Sequence, residues 1–367
     1  MTLRYAIIGN GMMGCEHMRN IALIDDAIVT GFADPLEHMR NTAAQTATSL
    51  GFADARSFVD YRDMISADLA DVYVVVTPND THFDVMQDLF ATQKPVLLEK
   101  PVATTVEQAW SLAARDQARD APTWVAMEYR YMPPVARLIR EAHAGTAGNL
   151  KMFSITEHRF PFLVKANDWN RFSVRTGGTL VEKCCHFFDL MRLVTQSEPT
   201  RIYASGAQDV NHLDERYDGR VPDILDNAMV IVDFENGMRA SLDLCMFAEG
   251  SWWQEHISVT GDAGKVEAFV PGPSRFWPGG AERASEIVIS SRADKAPVRE
   301  QVHVDEAILA AGDHHGSTFY QHQNFARIIR EGGKPEVTLH DGAMAVEMGA
   351  MAHKSIETGL PVLFSRR

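Results

Sequence analysis

The feature that most constrains this chain is a glycine-rich turn between an apolar strand and a helix near the N-terminus. An apolar run ends at Ile8, glycines follow at Gly9, Gly11 and Gly14, and the next apolar residues recur at helical spacing. The first glycine permits a tight turn, the second lets the backbone approach a pyrophosphate, and the third lets the helix pack against the strand. The turn reads Gly9, Asn10, Gly11, Met12, Met13, Gly14.

An aspartate follows the second predicted strand at the position where a dinucleotide-binding protein binds the ribose. A second apolar run, residues 27–33, ends at Asp34, 20 residues after Gly14. Such an acid accepts hydrogen bonds from the adenosine ribose hydroxyls and repels a 2′-phosphate. The sequence therefore predicts NAD, with NADP open because Arg40 could fold back. An ordinary strand–helix–strand turn without nucleotide is the alternative.

Length and charge limit the class of protein. A chain of 367 residues exceeds one ordinary core, so we expect two domains. The net charge of −14 argues against nucleic acid or an anionic membrane as partner. The chain shows no membrane-length apolar run and no signal peptide, which predicts a cytoplasmic protein. We expect reduced thiols and no metal site, since Cys184, Cys185 and His186 would point in different directions on a helix.

Strands and helices alternate over roughly the first 120 residues, as in a doubly wound nucleotide-binding domain. The apolar runs at 71–76 and 94–98 predict parallel strands buried on both faces. Ligands bind beyond the carboxyl ends of such strands, so Gly9, Asp34, Thr77 and Lys100 are expected to share one cleft.

Lys100 is the first candidate for chemistry. It follows a buried strand and precedes a proline, which constrains the direction of its backbone. An ammonium beside a nicotinamide could stabilise the alkoxide of a substrate hydroxyl. A surface lysine paired with Glu99 is the open alternative.

The second half of the chain predicts an α+β domain. Residues 205–223 and 271–300 are rich in glycine, proline and charge, and predict surface excursions. Asn236-Gly237 predicts a hairpin between two strands. We expect a Rossmann domain at 1–123, followed at 124–367 by a domain with a large, mainly antiparallel sheet. Its predicted strands include 151–160, 228–234, 238–245 and 256–260.

Residues 177–191 form the second informative stretch. Two glycines precede a predicted helix on which Glu182, His186 and Asp189 would share one face. A carboxylate one turn from an imidazole can orient it and raise its pKa, which makes a general acid–base pair. An exposed helical ion pair or a core histidine is the alternative, and the bare spacing favours that alternative.

Together these stretches resemble the Gfo/Idh/MocA family, over essentially the whole chain and in the same order. The turn at 9–14 resembles the family's cofactor turn. Thr77-Pro78-Asn79, followed by His82, resembles its TPN-xx-H loop. Glu99-Lys100-Pro101 resembles its EKP motif, in which the lysine is catalytic. Residues 129–133 resemble the start of the second domain, and 177–189 the helix that carries the acid–base histidine. The usual aspartate of that helix is Glu182 here.

The resemblance implies an NAD(P)-dependent oxidoreductase acting on a secondary hydroxyl of a sugar, cyclitol or sugar derivative. His186 would be the acid–base, Lys100 would hold the oxyanion and relay the proton, and Glu182 would tune His186. A homodimer or homotetramer would form through the sheet of the second domain. A catalytically inactive sensor, and an enzyme that cycles a retained cofactor between two sugars, stay open.

The resemblance also assigns binding residues. His158 begins a stretch similar to one in inositol dehydrogenases whose histidine faces substrate, and residues 162–175 are either a lid or only a long loop. The implied cofactor-binding residues are Gly9, Gly11, Met12, Met13, Asp34, Thr77, Pro78, Asn79, His82, Glu99 and Lys100. The implied substrate-binding residues are Tyr129, His158, Trp169 and His315.

Overall fold

The computed structural model describes residues 2–280 and 283–365. Its N-terminal part is a parallel sheet with helices on both faces. The strands are β1 (Leu3–Ile8), β2 (Ala27–Ala33), β3 (Arg56–Phe58), β4 (Val72–Val75), β5 (Val96–Leu98) and β6 (Thr123–Val125). They lie in the order β3-β2-β1-β4-β5-β6, which is that of a dinucleotide-binding fold. The accompanying helices are α1 (Met12–Ile21), α2 (Glu37–Ser49), α3 (Tyr61–Ser66), α4 (His82–Phe90) and α5 (Val106–Asp116).

The predicted Rossmann domain is confirmed, with one correction to its boundary. The apolar runs form β4 and β5, and every residue of both strands is buried because helices cover the two faces. The last strand, β6, extends to Val125. The boundary expected after residue 123 therefore falls inside a strand of the first sheet.

The turn from β1 to α1 depends on close backbone approach. Gly9 has a φ of +94°, and a Cβ there would lie 2.6 Å from the carbonyl oxygen of Val76. A Cβ on Gly14 would lie 2.3 Å from the carbonyl oxygen of Gly9. At Gly11 a Cβ would meet no atom within 4 Å, so that position borders open space.

The second sheet has nine strands in the order β14-β13-β12-β11-β7-β10-β9-β8-β15. Its neighbouring strands are antiparallel except for the parallel pair β7–β10, so the mainly antiparallel sheet is confirmed. The strands are β7 (Leu150–His158), β8 (Pro199–Ala207), β9 (Asn227–Phe234), β10 (Arg239–Cys245), β11 (Glu255–Gly261), β12 (Gly264–Val270), β13 (Ser285–Ser291), β14 (Pro297–Val302) and β15 (Val362–Leu363).

The prediction that 271–300 is only a surface excursion is wrong, because β13 and the first part of β14 lie within it. The apolar residues Ile287 and Val288 of β13 are buried, although charged and polar residues surround them in the sequence. The Asn236-Gly237 hairpin is confirmed between β9 and β10, where Gly237 has a φ of +82°.

Within the described residues, helices of the second half pack against both sheets. The longest packs against the first domain: Trp110 donates a hydrogen bond to Glu347 at 2.7 Å, and the backbone N–H of Val125 bonds to the carbonyl of Val337 at 3.0 Å. The helices are α6 (Pro133–His143), α7 (Ser173–Thr176), α8 (Thr179–Glu182), α9 (Cys185–Thr195), α10 (Glu306–Ala311), α11 (Ser317–Glu331) and α12 (Leu339–Thr358).

Within the described residues, none of the helices combines the length and the apolar character needed to cross a bilayer.

Gly14→Ala should lower the thermal unfolding midpoint, because its Cβ would collide with the Gly9 carbonyl oxygen at 2.3 Å. Overpacking of this kind costs about 1–3 kcal/mol. Gly11→Ala is the matched control, since its Cβ meets open space and the midpoint should barely move. Differential scanning calorimetry of both variants checks this, and equal midpoints would contradict the close approach.

Candidate active site

The residues that follow β1, β2, β4 and β5 lie at the same edge of the parallel sheet, and the turn after β1 fits a dinucleotide. Gly11 leaves room beside the N-terminus of α1, where backbone N–H groups favour a phosphate. The buried side chain of Asn10 has neither its Oδ1 nor its Nδ2 hydrogen-bonded within the described residues. Orphaned amide atoms beside an open glycine turn are consistent with a polar ligand there.

Asp34 is held in a fixed orientation at the end of β2. Its Oδ2 accepts the N–H of Asn10 at 2.8 Å, and its Oδ1 accepts the N–H of Leu36 at 2.9 Å. Arg40 does fold back, and its Nη1 donates to the carbonyl oxygens of Asp34 and Pro35 at 2.8 and 3.0 Å. The guanidinium is thus engaged with backbone carbonyls beside the carboxylate.

His82 acts inside the protein rather than toward the cleft. Its ring is fully buried, with Nδ1 2.7 Å from the carbonyl oxygen of Pro101 and Nε2 2.9 Å from that of Thr77. The expectation that His82 touches the cofactor is therefore corrected: the imidazole ties the loop after β4 to the loop after β5. Both loops carry predicted cofactor residues.

The loop after β4 also contacts the second domain. Asn79 donates a hydrogen bond to the carbonyl of Thr176 at 3.4 Å, and Asp80 pairs with Arg175 at 2.8 Å. Thr77 and Pro78 accept hydrogen bonds from Thr81 within the loop. This part of the predicted cofactor site is therefore braced from both domains.

Glu99 pairs with a histidine, not with the ammonium of Lys100. Its Oε1 lies 3.0 Å from Nε2 of His17 on α1, and the other ring nitrogen of His17 lies 2.8 Å from Nε2 of His322 on α11. Glu99 Oε2 accepts only the backbone N–H of Lys100. The contacts from Glu99 to His17 and from His17 to His322 hold the end of β5 against α1.

Lys100 reaches into the second domain. Its Nζ donates a hydrogen bond to the carbonyl oxygen of Glu182 at 3.1 Å. The alternative of a surface pair with Glu99 is therefore excluded. Burial favours the neutral amine, but Cys185, Glu99 and Glu182 outweigh it and raise the pKa of Lys100, so the ammonium stays charged.

His186 lies buried in the first turn of α9, stacked on the ring of Tyr129 with the centroids 4.2 Å apart and the planes at 12°. Its Nδ1 has no hydrogen-bond partner within the described residues. Burial, together with the cations Lys100 and Lys183, holds the pKa of His186 well below its usual range. The imidazole is therefore neutral, and the expected rise of its pKa is wrong.

The predicted helix is also interrupted. Helix α8 ends at Glu182 and α9 starts at Cys185, so the expected single face does not form. Asp189 turns to Arg130, whose Nε lies 3.0 Å from its Oδ2. Glu182 Oε2 is buried and has no partner in the described part of the chain, and burial raises the pKa of this carboxyl to about 7 against the opposing effect of Lys100.

Two of the predicted substrate residues do not reach the cleft. Tyr129 is only 1% exposed and lies behind His186, where its hydroxyl accepts a hydrogen bond from Lys183. His158 is on the opposite face of β7 from the buried Glu157, and its Nε2 lies 3.3 Å from Asp243. Side chains alternate along a strand, so His158 and Glu157 point to opposite sides of the sheet.

The imidazole of His315 bonds to the backbone. Its Nε2 lies 2.9 Å from the carbonyl oxygen of Pro271. The neighbouring His314 faces Tyr129 instead, with the ring centroids 6.1 Å apart.

His314 forms an ionic cluster with two buried carboxylates. Its Nδ1 lies 3.4 Å from Glu16 and 3.3 Å from Glu128, and the candidate ligand atoms of all three lie within 4.8 Å of one another. Burial opposes the charge, but Glu128 and Glu16 raise the pKa of His314 to about 9. Thr318 Oγ1 lies 2.6 Å from Oε2 of Glu128 and 3.1 Å from Oε1 of Glu16, and Ser317 donates to Glu128, so an imidazolium and hydroxyls compensate the cluster.

The stretch 162–175 is an anchored loop. Arg171 is 2% exposed and pairs with Glu215 at 2.9 Å, and Asn170 donates to the carbonyl of Leu163 at 2.9 Å. Trp169 lies half-buried in its short 3₁₀ helix, Ala166–Arg171. Burial lowers the pKa of Lys165, against the opposing effect of Glu182.

Sequence reasoning missed the charged residues that surround His186. Lys183 is 5% exposed in the structure, but in the sequence it is only one of two charged residues between Val181 and Cys184. Glu157 precedes His158 in β7 and lies on the buried face of that strand, which is a weak sequence signal. Nothing in the sequence separates His314 from His315.

Comparison with known families covers nearly the whole chain. Residues 3–127 match the description "Oxidoreductase family, NAD-binding Rossmann fold", and residues 143–364 match "Oxidoreductase family, C-terminal alpha/beta domain". The first domain is thus an NAD-binding Rossmann domain.

Individual relatives are distant in sequence. Myo-inositol 2-dehydrogenase of Thermotoga maritima is 23% identical over 97% of this chain and 96% of its own length. Rhizopine catabolism protein MocA of Rhizobium meliloti is 27% identical over 75% of this chain and 79% of its own length. A structure of levoglucosan dehydrogenase with NADH and levoglucosan superposes with a TM-score of 0.82, at 20% identity and full coverage of both chains.

Glu182→Gln should stabilise the protein at pH 8 and leave stability nearly unchanged at pH 5. The folded carboxyl has a pKa of about 7 and the unfolded one titrates near 4.5. The folded state therefore binds more protons between these values, and wild-type stability falls as pH rises through that window. Glutamine has no proton to lose. Thermal midpoints at both pH values check this; a lower midpoint for the variant at pH 8 would contradict it.

Proposed function

We propose that this chain, which belongs to the Gfo/Idh/MocA family of NAD-dependent oxidoreductases, transfers a hydride between NAD and a secondary hydroxyl of a sugar, cyclitol or sugar derivative. One observation carries the proposal. The hydrogen bond from Lys100 to the Glu182 carbonyl, at 3.1 Å, joins the cofactor domain to the segment just before His186. An ammonium and a neutral imidazole then flank one cleft.

The substrate class rests on the relatives. Two that are similar over most of the chain are named inositol dehydrogenases, and levoglucosan dehydrogenase shares the fold. Their substrates are ring polyols or an anhydrosugar, which offer the secondary hydroxyl that this chemistry needs.

Each side chain of the cleft would have one task. The bound NAD supplies the hydride acceptor. His186, neutral because its pKa is depressed, accepts the proton of the hydroxyl. Lys100, still charged, stabilises the negative charge on that oxygen. Glu182, with a pKa of about 7, can hold or release a proton near neutrality and pass it on.

The groups around the reacting centre also suit a polyol. The unpartnered Oε2 of Glu182 and the ammonium of Lys165 offer an acceptor and a donor for further hydroxyls. Trp169, half-buried on the same loop, offers an apolar face for a sugar ring. These three are the substrate contacts that we propose.

A homodimer or homotetramer would form through the second sheet. The face of this sheet opposite the buried Phe153 and Ile155 exposes apolar side chains, an arrangement typical of an interaction surface. The exposed residues are Met152 on β7, Tyr203 on β8, and Met229 and Ile231 on β9.

His186→Ala and Lys100→Ala should each lower kcat with NAD affinity retained. A positioned acid–base group contributes typically ~10²–10⁴-fold to the rate. The double variant should lose much less than the product of the two factors, because both groups serve one proton transfer. Nicotinamide absorbance, followed with a panel of cyclitols, sugars and anhydrosugars, measures kcat, and fluorescence titration measures NAD binding.

The same panel of cyclitols, sugars and anhydrosugars distinguishes a dehydrogenase from a cofactor-cycling enzyme and from an inactive sensor. Turnover of free NAD by a polyol supports a dehydrogenase, and reduction of one sugar by another with cofactor retained through dialysis would indicate the cycling enzyme. Binding of NAD without turnover of any polyol would indicate the inactive sensor. Wild-type kcat in either alanine variant would contradict the proposed mechanism.

Asp34 should set a preference for NAD over NADP. Its fixed carboxylate would repel a 2′-phosphate, while the Arg40 guanidinium is engaged with backbone carbonyls. Asp34→Ala should therefore reduce the ratio of kcat/KM for NAD to that for NADP, and Arg40→Ala should leave NAD use almost unchanged. A wild-type enzyme that favours NADP would overturn this assignment.

A further inference from the structure

A buried lysine lies behind the proposed acid–base. Lys183 occupies the break between α8 and α9 and is 5% exposed. Its Nζ lies 2.8 Å from Oε1 of Glu157 and donates a hydrogen bond to the hydroxyl of Tyr129. None of the proposed chemical steps uses this group, although burying a charge is costly unless the charge is paired.

Glu157 anchors this lysine from the sheet. Its side chain is fully buried on β7, and Oε1 also accepts a hydrogen bond from Arg159 at 3.3 Å. Glu255 stands directly opposite on β11 and is also fully buried. Glu157 thus pairs with both Lys183 and Arg159 on the inner face of the sheet, and the ammonium of Lys183 also bonds to Tyr129.

His186 lacks the partner that usually orients a catalytic imidazole. In acid–base sites a third group commonly fixes the ring through a hydrogen bond to the second nitrogen. Here Nδ1 is buried without a partner among the described residues, and the ring stacks instead on Tyr129. The position of the tyrosine ring therefore decides where the imidazole lies.

We propose that Lys183 is a positioning residue: held by Glu157, it fixes the hydroxyl of Tyr129 and so the ring on which His186 stacks. The inference rests on the proposed acid–base role of His186. Tyr129 then acts as the orienting group, and its anchor lies in the sheet of the second domain rather than in the cleft.

The charged groups around His186 allow the role of Lys183 to be tested through the pKa of the imidazole. Lys100 lies at the end of β5, Lys183 at the break before α9, His314 in the loop before α11 and Arg159 after β7, and all four cations lower the pKa of His186. The carboxylates nearby are those of Glu182, on α8, and of Glu157 and Glu255, behind Lys183. Removing the Lys183 charge should raise the pKa of the imidazole.

The test compares Lys183→Met, Lys183→Arg, Tyr129→Phe and the double variant Lys183→Met with Tyr129→Phe in the full-length chain. Lys183→Met should lower kcat about 10-fold to 100-fold, the scale of a small misplacement of a catalytic group, with NAD affinity unchanged. Lys183→Arg should restore most of that loss. Tyr129→Phe should show a similar loss, and the double variant should lose no more than the larger single one.

A second readout does not depend on activity. NMR titration of histidine-labelled protein, with the His186 signal assigned from His186→Ala, should show the imidazole titrating at higher pH in Lys183→Met. In Tyr129→Phe, which keeps the charge, its pKa should stay depressed. Lys94→Met is the matched control, because Lys94 also pairs with an acid near a tyrosine but lies in the first domain. It should change neither kcat nor the titration.

The possible outcomes are distinct. Unchanged kcat in both Lys183→Met and Tyr129→Phe overturns the inference, as does an unshifted His186 titration in Lys183→Met. If Lys183→Met does not fold, kcat of Tyr129→Phe decides, because that variant leaves the Lys183–Glu157 pair intact. Failure of the proposed function would show separately, as wild-type kcat in His186→Ala.

Discussion

The site depends on one contact across the two domains, the hydrogen bond from the Lys100 ammonium to the carbonyl oxygen of Glu182. Lys100 is fixed at the end of β5 because Glu99 is tied through His17 and His322 to α1 and α11. The carbonyl is available because α8 ends at Glu182, where the chain breaks before α9. A continuous helix would have consumed that carbonyl in its own hydrogen bonds.

Burial then sets the protonation of each group in the cleft. Among clustered cations the imidazole of His186 is neutral, and near acidic groups the ammonium of Lys100 stays charged. The carboxyl of Glu182 is driven toward neutrality. A base that is neutral beside a cation that is charged is the combination that alcohol oxidation requires. The environment, rather than a Glu–His pair on one helix face, produces it.

The sequence predicted the parts of the fold that local patterns determine. The order of glycines, apolar runs and Asp34 was enough for the Rossmann sheet, since each feature is read within a few residues. The break at Lys183 was not predictable from helical spacing, and the sides to which His158 and His315 turn depend on the path of the folded backbone. Lys165 and Lys183 acquire their surroundings only when distant strands and loops meet, so residue type alone could not assign them.

The most direct test of the central claim is a crystal structure with NAD and a polyol that the enzyme turns over. The account predicts one substrate hydroxyl within hydrogen-bonding distance, roughly 2.6–3.2 Å, of both the Lys100 ammonium and the His186 imidazole, with its carbon facing the nicotinamide. Tyr129 should lie behind the imidazole without touching the substrate. A polyol whose reacting hydroxyl contacts neither Lys100 nor His186 would contradict the account.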